Sequence, residues 1–205
     1  MMTINVGIYV FDEVEVLDFT GPFQVFTTAA RVNARIYPDS PELFKVTTIA
    51  LDPHAITARF GLVVQPSHTI ENHPRLDVLI VPGGIVSGQL ERQPVIAWLE
   101  RTAPGTTITA SICTGAFLLA KAGLLNGKMV TTHWEDIQDL QRMFPKISVL
   151  ENRRWIDEGK IVTSAGISAG IDMSLYLVAR LASRELALKT ARQMEYDWPE
   201  GDAHT

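Results

Sequence analysis

Cys113 is the only cysteine among 205 residues, and it stands inside Thr109 to Gly123, TASICTGAFLLAKAG. One cysteine supports neither an internal disulfide nor a multi-thiolate metal site, so chemistry at this position must come from its own sulfur. The residues before it form a buried-strand pattern, and Phe117, Leu118, Leu119, Ala120 and Ala122 make the next stretch an all-round apolar helix closed by Gly123. Cys113 therefore falls at the carboxyl end of a strand and the start of a helix, where α/β sheets place ligands. Helix-start amides stabilise anions, and cysteines so placed ionise at roughly 3.5–7.5, which predicts a nucleophilic thiolate. Gly115 would leave the approach to the sulfur open. The competing reading is a small, inert, buried side chain, the commonest fate of a free cysteine.

Two other segments end in the same kind of place. VLDFTGPFQVF, residues 16–26, puts Asp18 between the first strand and the first helix. Thr20 reads as the cap of that helix, with Pro22 in its first turn, which leaves Asp18 free for acid/base work. Pro82-Gly83-Gly84 follows the apolar run DVLIV, and its backbone N–H groups could form an oxyanion hole, although the same tripeptide also makes ordinary turns. His133 precedes a helical stretch and is the rival general base for Cys113; its other reading is a loop residue held by hydrogen bonds. His54, His68, His73 and His204 show no metal-ligand spacing, so no metal is expected. Asp172 reads as a first-turn acid served by the helix dipole. Trp98, Trp134 and Tyr176 read as core or interface residues.

Positioning these side chains requires a sheet. Asn5–Phe11, Phe44–Leu51, Asp77–Val81, Thr106–Ile112 and Met129–Thr132 are short runs rich in β-favouring residues. Helical stretches lie between them: Thr20–Ala30, Pro94–Arg101, Thr114–Ala122 and Trp134–Met143. The alternation predicts parallel βαβ units and a layered α/β fold. Arg153–Ile156 and Lys160–Ser164 flank Asp157-Glu158-Gly159 as an edge hairpin. Helices over Ser168–Leu181 and Arg184–Tyr196 follow, then a loose tail over Asp197–Thr205. No repeat or linker divides the chain, so residues 1–205 read as a single domain. Acidic residues outnumber basic ones 23 to 18, a net charge of −5 without a basic cluster, which disfavours nucleic-acid binding. The first apolar run meets Asp12 and Glu13 too soon for a signal peptide or membrane span, so a cytoplasmic protein is expected.

The motifs VxxLDFTGP (14–22), VPGG (81–84), SICTGA (111–116), GLLNGKxxTTHW (123–134) and SAGISAGID (164–172) together resemble the DJ-1/PfpI (ThiJ) superfamily, and within it the isonitrile hydratase branch. The resemblance runs from about residue 4 to 196. It implies a flavodoxin-like, class I glutamine amidotransferase-like three-layer sandwich with a mostly parallel sheet, and usually a homodimer. By the same resemblance Cys113 is the nucleophile, Asp18 its acid/base partner, Thr114 the neighbouring polar residue and Gly84 an oxyanion donor through its N–H. The implied activity is a lyase reaction, hydration of a small isonitrile to an N-substituted formamide without a cofactor. Protease-type members carry a histidine after the cysteine; Thr114 stands there instead, which argues against peptide hydrolysis.

Two alternatives stay open on the residues. One is a glyoxalase-like enzyme acting on reactive dicarbonyls, with His133 as the base. The other is a ligand-binding or redox-sensing module akin to the sensor half of AraC-type regulators; the chain ends at Thr205, about where their helix-turn-helix domain would begin, and a stand-alone domain is expected. Pocket shape is expected to depend on loops such as Tyr37–Glu42 and on a dimer partner.

Overall fold

The structure, a computed structural model, describes residues 2–198. His204 and all of the expected loose tail except Asp197 and Trp198 lie outside the described residues. In chain order the strands are β1 (Ile4–Tyr9), β2 (Phe44–Ala50), β3 (Ile56–Thr57), β4 (Val63–Val64), β5 (His68–Thr69), β6 (Val78–Val81), β7 (Ile108–Ile112), β8 (Met129–Val130), β9 (Ser148–Val149), β10 (Trp155–Glu158) and β11 (Ile161–Ser164). The helices are α1 (Val16–Ile36), α2 (Ser87–Leu90), α3 (Gln93–Thr102), α4 (Gly115–Lys121), α5 (Ile137–Met143), α6 (Ala169–Leu181) and α7 (Arg184–Gln193).

β6 and β7 are buried at every residue, as strands covered on both faces must be; β6 is wholly apolar, and β7 alternates Ile108, Ala110 and Ile112 with the small polar Thr109 and Ser111. Around them one sheet runs in the order β10-β11-β7-β6-β1-β2-β5, parallel throughout except for the β10–β11 pair. Helices α1, α6 and α7 pack on one another, and α2, α3 and α4 form a second group. This is the expected mostly parallel sheet with flanking helices. β2 lies on one side of β1, whereas β6 and β7 extend the sheet on the other, so strand order reverses between β1 and β6. Parallel register sets Ile8, Ile80, Ala110 and Val162 side by side. The carboxyl ends of β1, β6 and β7 therefore come level at the reversal, the place where open α/β sheets bind ligands.

Three sequence expectations are corrected. The first helix begins at Val16, not Thr20, and runs to Ile36. Thr20 is no cap: its hydroxyl donates to the Val16 carbonyl at 2.7 Å. Pro22 sits inside the helix and cannot donate to the carbonyl of Asp18 one turn back, a defect worth ~3 kcal/mol. Burial of Phe19, Val25 and Phe26 on the same helix, at ~1.5–3 kcal/mol each, outweighs it. Second, Met129–Thr132 is not a strand of the main sheet; β8 pairs with β9 in a separate ribbon. The segment does reach β11, but through a Thr131 N–H bond to Thr163 Oγ1 (2.9 Å), because β7 and β10 already occupy both edges of β11. Third, Asp172 is fully buried, which a helix dipole alone does not sustain: the Arg154 guanidinium pairs with it and Tyr196 donates to it at 2.8 Å. Tyr196, expected in the last helix, has left it to make that bond. The edge hairpin forms as β10–β11, with Gly159 at φ 80° and its N–H on Asp157.

Candidate active site

Cys113 is the residue at which β7 becomes α4, and its φ of 54° lies in the left-handed region that L-residues avoid. The surroundings hold this strained turn in place. Its N–H donates to the carbonyl of Ser164 at 3.2 Å, and Thr132 Oγ1 donates to its carbonyl at 2.8 Å. Gly115 has a different role from the expected one of opening the approach: a Cβ there would collide with the Val81 carbonyl oxygen, so the missing side chain lets β6 and α4 close on each other.

Cys113 is 8% exposed and opens into a cavity of ≈ 240 Å³ lined by Glu15, Arg59, Gly84, Thr114, His133, Glu135, Asp136 and Ile167. Gly84, Thr114 and His133 thus meet Cys113 in one pocket. Asp18, in the first turn of α1 rather than ahead of the helix, is fully buried and meets the pocket through the Cys113 thiol. Its Oδ2 accepts the N–H of Gly83 at 3.1 Å, while Oδ1 has no hydrogen bond of normal geometry.

Burial lifts the Asp18 carboxyl to about 7; the N–H of Gly83, the Cys113 thiol and the N–H of Ile167 oppose the rise, and the nearby Glu15 adds to it. The thiol of Cys113 is also pushed upward, by burial first and by the Asp18 charge second. This overturns the expectation of a thiolate created by the helix start. The Thr114 N–H and hydroxyl do favour the anion, but α4 is only seven residues long and they are outweighed. Groups this close titrate as a pair: the first proton leaves near neutrality and the second is retained, so one proton serves both atoms.

The two glycine amides are already engaged. Gly83 serves Asp18, and the Gly84 N–H donates to Thr114 Oγ1 at 2.9 Å while that hydroxyl returns a bond to the Gly84 carbonyl at 2.9 Å. Gly84 has φ 136°, and a Cβ there would strike the Glu13 carbonyl oxygen. His133 caps the turn Trp134–Asp136 by accepting the Glu135 N–H at 3.4 Å, and lines the pocket without a hydrogen bond to Cys113. Its Nδ1 lies 3.5 Å from Asp136 and 3.8 Å from Glu135. Burial raises the Asp136 carboxyl, with His133 opposing.

The sequence reading missed Glu15, Arg59, Glu135, Asp136 and Ile167. Glu15 pairs with Arg59 at 3.2 Å across the pocket wall. Proximity to Asp18 and His133 could have flagged Glu15, Glu135 and Asp136; nothing local marks Arg59, which arrives from the turn between β3 and β4. The Tyr37–Glu42 loop contributes no lining residue. Among the described residues no group of three or more His, Cys, Asp or Glu side chains stands where it could hold a metal ion. No helix there is long and apolar enough to cross a membrane.

The profile of the DJ-1/PfpI family matches residues 5–180. The chain is 33% identical over 196 residues to the isonitrile hydratase of Pseudomonas putida, covering 95% of this chain and 79% of that one. It is 28% identical over 193 residues to the HTH-type transcriptional regulator GbdR of Pseudomonas aeruginosa, covering 94% of this chain and 51% of the regulator. It thus spans about half of that relative's length. Among solved structures, a ThiJ/PfpI family protein from Pseudomonas syringae superposes with a TM-score of 0.83 at 26% identity, over the whole of this chain and 80% of that one.

Proposed function

The chain belongs to the DJ-1/PfpI family, and from that premise we propose that it is an isonitrile hydratase with Cys113 as nucleophile. The observation that carries this reading is the buried pairing of Asp18 with Cys113 at a strained turn, with Thr114 and not histidine beside the sulfur. A pair holding one proton suits an isonitrile, R–N≡C, whose terminal carbon must gain both a nucleophile and a proton.

In the proposed reaction the thiol passes its proton to Asp18, and the thiolate attacks the terminal carbon. Asp18 returns that proton to the same carbon, leaving a thioimidate, R–N=CH–S. The Asp18 carboxylate next takes a proton from water as the hydroxyl adds to this carbon and passes that proton to the nitrogen, giving R–NH–CH(OH)–S, whose hydroxyl proton returns to Asp18 in the last step. The C–S bond then breaks, releasing R–NH–CHO, and the sulfur and Asp18 again share one proton. Gly84, bonded to Thr114, supplies charge stabilisation only when Thr114 Oγ1 turns to the reacting atoms; Thr114 is accordingly assigned the positioning of that amide. His133 is assigned to shaping the pocket. The same reading takes the protein as one domain, a homodimer working in the cytoplasm without a cofactor.

A second reading, a ligand-sensing module, is favoured by one observation: the likeness to GbdR covers nearly all of this chain. Incubation with a small isonitrile panel and with methylglyoxal, followed by product analysis, separates the readings. Formamide formed by the wild type and lost in Cys113→Ala and Asp18→Asn supports the hydratase. Lactate from methylglyoxal would overturn it in favour of the dicarbonyl enzyme, and no product from either would leave the sensor.

A further inference from the structure

The pocket that exposes Cys113 is unbalanced in charge. Glu15, Glu135 and Asp136 line it, and Arg59, already paired with Glu15, is the only arginine or lysine among the described residues that line it. His133 faces both Glu135 and Asp136 but contributes a positive charge only when protonated. Behind the sulfur, the fully buried Asp18 adds a further negative charge once the pair has lost its first proton. The remaining walls, Gly84, Thr114 and Ile167, are uncharged. The mouth leads past His133, Glu135 and Ile167 into a wider groove of ≈ 1070 Å³ that includes Trp134, an indole 76% exposed beside the His133 ring. The arginines of that groove, Arg153 and Arg154, lie on the other strip of chain, and neither lines the Cys113 pocket.

We propose that this pocket selects electrophiles with a positively charged substituent, the ammonium group being held by Glu135 and Asp136 beside the face of Trp134. Narrow clefts lined by one sign of charge concentrate ligands of the opposite sign, and an exposed indole is the best aromatic partner for an ammonium. As to substrate class, the proposal rests on the hydratase reading and names ammonium-bearing isonitriles. As a property of the pocket, it holds for any reagent that reaches the sulfur.

Two measurements keep those claims apart. The first is the rate at which Cys113 reacts with two methanethiosulfonates of similar size, one bearing trimethylammonium and one bearing sulfonate, each normalised to its rate with a small free thiol. The cationic reagent is expected to react at least ~tenfold faster, with the ratio collapsing toward one in Glu135→Gln/Asp136→Asn and in high salt. Equal or reversed rates overturn the proposal. The second is kcat/KM for matched ammonium-bearing, neutral and carboxylate-bearing isonitriles, expected to fall in that order. Equal values with formamide formed from all three overturn the selectivity and leave the hydratase standing. No formamide from any of them, with the thiol-reagent bias intact, overturns the hydratase and supports the charge selection alone.

Discussion

The Asp18 carboxylate is, after burial, the strongest influence raising the Cys113 thiol, and the thiol in turn eases the ionisation of that carboxyl. The first proton leaves the couple at about 7 and the second is held far longer. Alkylation of Cys113 by iodoacetamide should therefore rise with pH through about 7, as the one-proton form that can present a thiolate becomes populated. In Asp18→Asn that step disappears and the thiol ionises alone, at a lower pH than the second step of the wild type. A wild-type rate profile that is flat between pH 5 and 9 would contradict the coupling.

The same shift predicts how stability responds to pH. Asp18 is raised from 3.8 to about 7 in the folded protein, so the native state binds its proton more tightly than the unfolded chain does. Its contribution is fully present below pH 3.8 and is lost as pH rises through about 7. Asp18→Asn should consequently gain melting temperature over the wild type progressively between pH 4 and 7, with a constant gain above. Thermal unfolding of both proteins across that range tests the sign.

Thr114→Val keeps the shape of the side chain and removes both bonds to Gly84. The Gly84 N–H and carbonyl then lose their partner, at a cost of ~1–3 kcal/mol. Chemical denaturation should show that loss, and turnover should fall further than stability if positioning of Gly84 matters for the reaction.

Gly115→Ala places a methyl against the Val81 carbonyl oxygen, a backbone atom that cannot rotate away. We expect ~1–3 kcal/mol of destabilisation and a displaced Cys113 turn, visible as an altered alkylation rate. Gly88→Ala is the matched comparison: its added carbon meets open space within α2, and stability should hold or improve slightly.

The strands that carry the site were legible because β6 is a continuous apolar run and β7 a short stretch of β-favouring and small residues, patterns that exist before any tertiary contact forms. Cys113, Asp18, Thr114, Gly84 and His133 were legible as candidates because each lies at the edge of such a run, in motifs that together match one family. The start of α1 was misjudged: Thr20-Gly21-Pro22 has the local chemistry of a helix start, and only packing of the whole 21-residue helix overrides it. Met129–Val130 was misplaced because no residue in it records that the edges of β11 are taken.

Short-range regularities of the chain were enough to determine a parallel α/β sheet, a cysteine at a strand-to-helix junction and an acid near another strand end. The protonation of that cysteine was decided only by the fold, because local helix-start amides favour an anion while burial and a carboxylate from a distant segment oppose it more strongly. The charge of the pocket was likewise decided by the fold, which alone brings Glu15, Arg59, Glu135 and Asp136 around one sulfur. Electrostatic effects depend on distance through space and on exclusion of water, and neither quantity is written in the order of residues.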